Sequence, residues 1–182
     1  MNKNMIEILR KQLEYIGENP DREGLIDTPR RIVKMWKEIY AGYSMKVEDI
    51  LTTFSADGYD QIILLKDIEF YSMCEHHNVP FYGKVHVAYL PGEKIVGISK
   101  LARLVDMYSK RMQIQERIGE QVTDALMKYL QPKGAACIIE ASHLCMKMRG
   151  VGKQNSTMIT SSMKGVFLTD TAVKQELLTL IR

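Results

Sequence analysis

Residues 61–91, QIILLKDIEFYSMCEHHNVPFYGKVHVAYLP, decide the fold. Two runs rich in β-branched and aromatic residues, 61–73 and 79–91, flank the short polar insert Cys74-Glu75-His76-His77-Asn78, and Pro91-Gly92 follows as a turn. Runs of that length and composition, punctuated in that way, read as strands. On the C-terminal side, Gly97-Ile98-Ser99 opens a helix with Leu101, Leu104, Val105 and Tyr108 on one face and Ser99 as its N-cap. A second helix, from about Gln113 to Leu130, carries Ile114, Ile118, Val122, Ala125, Leu126 and Tyr129 inward and stops at Pro132-Lys133-Gly134. AACIIEASHLCM (135–146) is then a strand, RGVGKQNS (149–156) a polar loop, TMITSSMKGVF (157–167) a further strand, and a short helix ends the chain.

On the N-terminal side, Met5, Ile6, Leu9, Leu13 and Ile16 recur at helical spacing and end at Gly17-Glu18-Asn19-Pro20. Thr28-Pro29 reads as an N-cap and first helical position, followed by the stripe Ile32, Met35, Trp36 and Ile39. Helices and strands come in blocks without regular alternation, which predicts an α+β fold with a mainly antiparallel sheet. A single domain over 1–182 is expected, with a helical part at 1–45 and the core at 60–182.

A chain of 182 residues with 46% hydrophobic content fills one core, and 26% charged residues with a net charge of +3 point to neither a nucleic-acid tail nor a disordered chain. No run reaches membrane-spanning length, and the first twenty residues lack the apolar stretch and small-residue cleavage site of a signal peptide. The expected compartment is the cytoplasm.

Three cysteines make no disulfide framework. Of the four histidines, His76, His77 and His143 lie within three residues of a cysteine, and only His86 stands apart. Cys74-Glu-His-His77 offers a thiolate and an imidazole at C-x-x-H spacing, a pairing that suits zinc. The other half of a site must come from Ser142-His143-Leu144-Cys145, where residues two apart on a strand place His143 and Cys145 on one face. Two thiolates and three imidazoles exceed what a closed four-ligand site needs, which suggests catalysis, although spacing alone neither chooses the ligating histidine nor rejects a closed Cys₂His₂ structural site. Cys137 reads as a small buried hydrophobe and His86 as a surface position on an alternating strand. Lys34, Ser99, Lys100, Arg103 and Arg149 form a basic set that suits phosphate, with a solvated helix face as the plain alternative. Gln115 and Glu116 read equally well as ordinary residues of a helix start.

The segments SMCEHHNVPFYGKVHVAYLPGEKIVGISKLARLVDMYSKRMQIQERI and EASHLCMKMRGVGKQNSTMITSSMKGVF resemble the two signature regions of GTP cyclohydrolase I, with CEHH, GISKLAR, QER, H-x-C-M and MRG in the family's order. The resemblance runs from about Asp27 to the C-terminus. It implies the tunnelling fold, an antiparallel sheet with helices on one side. In that fold the sheets of several subunits join into a barrel, two pentamers stack as a homodecamer, and active sites lie between subunits. It implies that GTP and water give formate and 7,8-dihydroneopterin triphosphate, a first step toward folate or related pterins. By motif, Cys74, His77 and Cys145 become zinc ligands, with the fourth position open to a hydrolytic water. His143 becomes the proton donor to purine N7, and His76, Ser99 and Gln115 become candidates for proton transfer near the ribose. Glu116 takes the guanine N1–H and 2-amino group, and Lys34, Lys100, Arg103 and Arg149 take the triphosphate. Glu75 is expected to support the metal cluster, with a structural role in positioning the turn equally open. A non-catalytic zinc- or nucleotide-binding protein of the same fold is the alternative reading.

Overall fold

Alternation of side chains along a strand decides which residues of the long hairpin reach the core, and in this computed structural model, which describes residues 3–182, that alternation changes phase midway. The helices and strands, in chain order, are α1 (Lys3–Tyr15), α2 (Thr28–Ile39), α3 (Val47–Ile50), β1 (Thr53–Ser55), β2 (Ile63–Cys74), β3 (Pro80–Leu90), β4 (Lys94–Val96), α4 (Ile98–Ser109), β5 (Met112–Gln113), α5 (Gln115–Tyr129), β6 (Gly134–His143), α6 (Leu144–Lys147), β7 (Met158–Gly165), α7 (Val166–Thr169) and α8 (Thr171–Ile181). The main sheet runs β5-β2-β3-β6-β7; β5 pairs parallel to β2 and the other neighbours are antiparallel. β1 and β4 form a separate antiparallel pair. The architecture is α+β, with the chain up to Ala41 forming one compact unit and Gly42–Arg182 a second.

Early in β2, Ile63 and Leu65 join the main core while Ile62 and Leu64 join a smaller cluster on the opposite face. Between Leu65 and Ile68 the register with β3 shifts, and Asp67 takes a left-handed backbone, at φ 60°, that most side chains avoid. Beyond this bulge the parity is reversed: Ile68, Phe70 and Cys74 now face the main core, Ser72 is buried, and Tyr71 is exposed. β3 and β6 keep one phase throughout, with Phe81, Val85, Val87 and Tyr89 and Ala135, Cys137, Ile139 and Ala141 inward. Against this face pack Leu101, Leu104 and Val105 of α4 and Ile118, Val122 and Leu126 of α5, each nearly inaccessible to solvent. Burying each such side chain stabilises by about 1.5–3 kcal/mol.

Several element ends differ from expectation. Asp27, not Thr28, is the residue before α2, and Thr28 begins the helix. Gly97 precedes α4, so Ser99 is inside its first turn and caps nothing. Gln113 belongs to β5, where it pairs with Cys74, and α5 starts at Gln115. β6 stops at His143, and residues 144–147 form a helical turn in place of the expected strand, so the same-face relation of His143 and Cys145 does not hold. β7 ends at Gly165, and Val166 begins α7.

His86 is also corrected: only 5% exposed, it is a buried residue and not a surface one. The second face of the sheet is covered toward one end, where Ala88 and Ala136 pack with Phe167 and Leu177 of the C-terminal helices. His86 Nδ1 accepts the backbone N–H of Asp67 at 3.1 Å and so holds the bulge. Burial pushes its pKa below the ordinary 6.5; Asp67 and Glu140 oppose that, and Lys66 and Lys84 reinforce it. The unfolded chain therefore takes up this proton first, and the stability the neutral ring contributes is full above about pH 6.5 and falls away on acidification. A thermal midpoint that drops between pH 7 and pH 5, with His86→Asn flattening part of that slope, is the expected result; identical slopes would refute it.

Candidate metal centre and active site

The phase change in β2 delivers Cys74 to the inner face as the last residue of the strand, and the chain then reverses tightly. Cys74 N donates to Val79 O (2.9 Å) and Asn78 N to Cys74 O (2.8 Å), with Asn78 in the left-handed region at φ 53°, which asparagine tolerates. His76 and His77 project from this turn and are exposed. β3 separates β2 from β6, so the ends of those two strands stand about 10 Å apart at ordinary strand spacing. The polar turn after β2 and the helical turn after β6 close that gap: one donor atom each from Cys74, His77 and Cys145 lies within 4.8 Å of the others.

The donor set suits a metal ion. Burial first, and then the neighbouring Cys74 sulfur, push the Cys145 thiol pKa up. Two thiols so close ionise together only beside a cation. Three protein donors, two thiolates and one imidazole, match sites that keep a further position for a non-protein ligand. Cys137 takes no part: fully buried, its thiol is pushed up to about 12.

His143 ends β6 on the same inward phase as Cys137, Ile139 and Ala141 and stacks on Phe81, its direct register partner, with ring centroids 4.6 Å apart and planes at 6°. Its Nε2 lies 2.8 Å from Gln115 Oε1. The other end of that amide donates to Ile139 O (3.0 Å), Met158 O (3.1 Å) and Thr160 Oγ1 (3.0 Å). Two of these acceptors are carbonyls, so the atom facing them is nitrogen and the atom facing His143 is oxygen. An amide oxygen only accepts. The hydrogen-bond network therefore puts a proton on His143 Nε2 and leaves Nδ1 as the nitrogen free to exchange one. Burial lowers the pKa of His143, and the Glu116 carboxylate acts against that shift.

The structure thus brings His143, Gln115 and Glu116 together, and separately assembles Cys74, His77 and Cys145. His76 stays beside the latter group, its Nδ1 3.9 Å from Cys74 Sγ. Arg149, just past α6, reaches back to Cys145 O with Nη1 at 3.5 Å. Ser99, Lys100 and Arg103 occupy the first two turns of α4, with Ser99 and Arg103 exposed. Lys34 is an exposed residue of α2, in the unit that ends at Ala41. Glu75 meets an unforeseen partner: Arg117 donates to both of its carboxylate oxygens, at 2.5 and 3.1 Å. Phe81, the stacking platform of His143, was unforeseen as well. Neither pairing leaves a local spacing signal, since each joins residues of different elements, 42 apart in the case of Glu75 and Arg117.

The GTP cyclohydrolase I family model matches residues 5–182. A protein of Wolinella succinogenes named GTP cyclohydrolase 1 is 51% identical over 98% of this chain and 96% of its own. One of the same name from Deinococcus radiodurans is 50% identical over all of this chain and 85% of its own. Among solved structures, an archaeosine synthase QueF-Like in its apo form aligns with 58% of this chain and 94% of its own at 16% identity, with a TM-score of 0.48.

Proposed function

Since the chain belongs to the GTP cyclohydrolase I family and is an enzyme with that family's activity, we propose that Cys74, His77 and Cys145 hold a zinc ion and that the residues around His143 carry out proton transfer on the bound guanine. The convergence of those three donors within 4.8 Å supports the metal assignment. Zinc bound there supplies Lewis acidity and lowers the pKa of a water to roughly 7. The reaction consumes GTP and water and yields formate and 7,8-dihydroneopterin triphosphate.

His143 gives a proton to purine N7, which makes C8 more electrophilic as the imidazole ring of guanine is opened. Phe81 and Gln115 fix the plane and the protonated nitrogen of His143, so its exchangeable proton is presented at Nδ1. Glu116, exposed at the start of α5, accepts from the N1–H and 2-amino group of guanine, two donors that adenine does not combine on that edge. Lys100, Arg103 and Arg149 bind the triphosphate through charge-assisted hydrogen bonds. His76 and Ser99 serve the later rearrangement of the ribose.

The enzyme works as a homodecamer of two stacked pentamers, in which the sheets join into a barrel, and it acts in the cytoplasm. Two features support the assembly: β7 ends the sheet with an open edge among the described residues, and Tyr71 and Tyr82 stack at 5.5 Å on its exposed face. Among the described residues no helix is long and apolar enough to cross a membrane.

Zinc-loaded protein incubated with GTP should release formate and form a product that becomes fluorescent on oxidation, and ATP in place of GTP should give neither. Absence of both products from GTP would overturn the proposal.

A further inference from the structure

We infer that Arg117 is a positioning residue for the metal centre, tying the turn that carries Cys74 and His77 to the helical turn that carries Gln115 and Glu116. The inference rests on the reading that Cys74, His77 and Cys145 hold the metal. Glu75 lies between those two ligands of the turn, and its carboxylate receives Nη1 and Nη2 of Arg117 at 2.5 and 3.1 Å, the paired geometry that restricts a guanidinium most strongly. The backbone is tied in parallel: Glu75 N donates to Gln113 O at 3.1 Å. Gln113, itself 2% exposed, donates to Tyr108 O (3.0 Å) and Gln121 Oε1 (2.7 Å) and accepts from Arg117 Nη1 at 3.4 Å. Glu75, Gln113 and Arg117 therefore form one connected bracket.

The bracket is a poor stabiliser of the fold. The Arg117 and Glu75 side chains are 41% and 31% exposed, and pairs so open to solvent add little to stability. Its effect lies in geometry. Restricting the turn from Cys74 to His77 lowers the cost of bringing His77 to the two sulfurs. Outer partners of metal ligands change metal retention by about 10–100-fold.

The test is the rate at which zinc-loaded protein gives up its metal to a chromogenic chelator. Arg117→Ala should release zinc about 10–100-fold faster than the wild type. Arg117→Lys, which keeps the charge without the fork, should fall between them, and Glu75→Arg combined with Arg117→Glu should recover part of the loss. The thermal midpoint of metal-stripped Arg117→Ala should stay within about 4 °C of stripped wild type. Release at the wild-type rate, or a stripped midpoint lowered as much as the loaded one, would overturn the inference. Failure of the wild type itself to take up zinc would overturn the metal reading on which it rests.

Discussion

Cys145→Ala is expected to leave purified protein without zinc and without detectable formate release from GTP. Three protein donors meet at this site, and complete thiolate and imidazole sites bind zinc with about 10–16 kcal/mol near neutral pH. Removing one donor of three forfeits roughly a third of that, about 3–5 kcal/mol, or on the order of 10²–10⁴-fold in Kd. Zinc would then be lost during ordinary purification. The fold should survive, because Cys145 lies at the half-buried start of a short helical turn and not in the packed face of the sheet. The contrast is Cys137→Ala: that residue is wholly buried, with its thiol pushed up to about 12, so its loss should cost about 1 kcal/mol of stability and leave metal content intact. Metal content by elemental mass spectrometry, alongside formate release, separates the two. Full zinc occupancy in Cys145→Ala would remove this residue from the ligand set.

His143→Ala should do the opposite, keeping zinc while reducing turnover by about 10²–10⁴-fold, the usual contribution of a positioned acid. The structure gives the reason for the separation: His143 Nε2 is engaged by Gln115 Oε1 at 2.8 Å and its ring lies flat against Phe81, so it is built into the α5 side of the site. Removing it strands the amide oxygen of Gln115, a residue only 1% exposed, and an unpaired buried acceptor costs about 1–3 kcal/mol. His143→Ala should therefore melt a few degrees lower while remaining loaded. Loss of zinc from this variant would make His143 a ligand and return the site to a closed arrangement.

The α+β class, the long hairpin, both central helices and the grouping of cysteine with histidine were legible because each is written in local periodicity or clustering. What was not legible depends on events between elements. Leu144-Cys145-Met146-Lys147 looks like the tail of an apolar strand, yet these residues favour a helical turn as soon as sheet pairing ends, and pairing of β6 with β3 ends at His143. His86 alternates as an outward residue should, but which outward positions are buried depends on packing between elements, as where Phe167 and Leu177 cover Ala88 and Ala136. Glu75 and Arg117 carry no mutual signal at all. The bulge at Asp67 was hidden in a run of apolar residues that reads equally well in either phase, Ile62 to Leu65.

That bulge makes the candidate metal centre depend on a count of residues as much as on their identities. Cys74 points inward because one extra residue upstream has turned the strand over, so the eight positions from Asp67 to Cys74 tolerate exchange of side chains far better than any change of length. A deletion at the bulge would leave every ligand present in the chain and turn Cys74 to the outer face of the sheet. For this protein, lineages of the fold should diverge along β2 by replacement, with insertions and deletions confined to the loops.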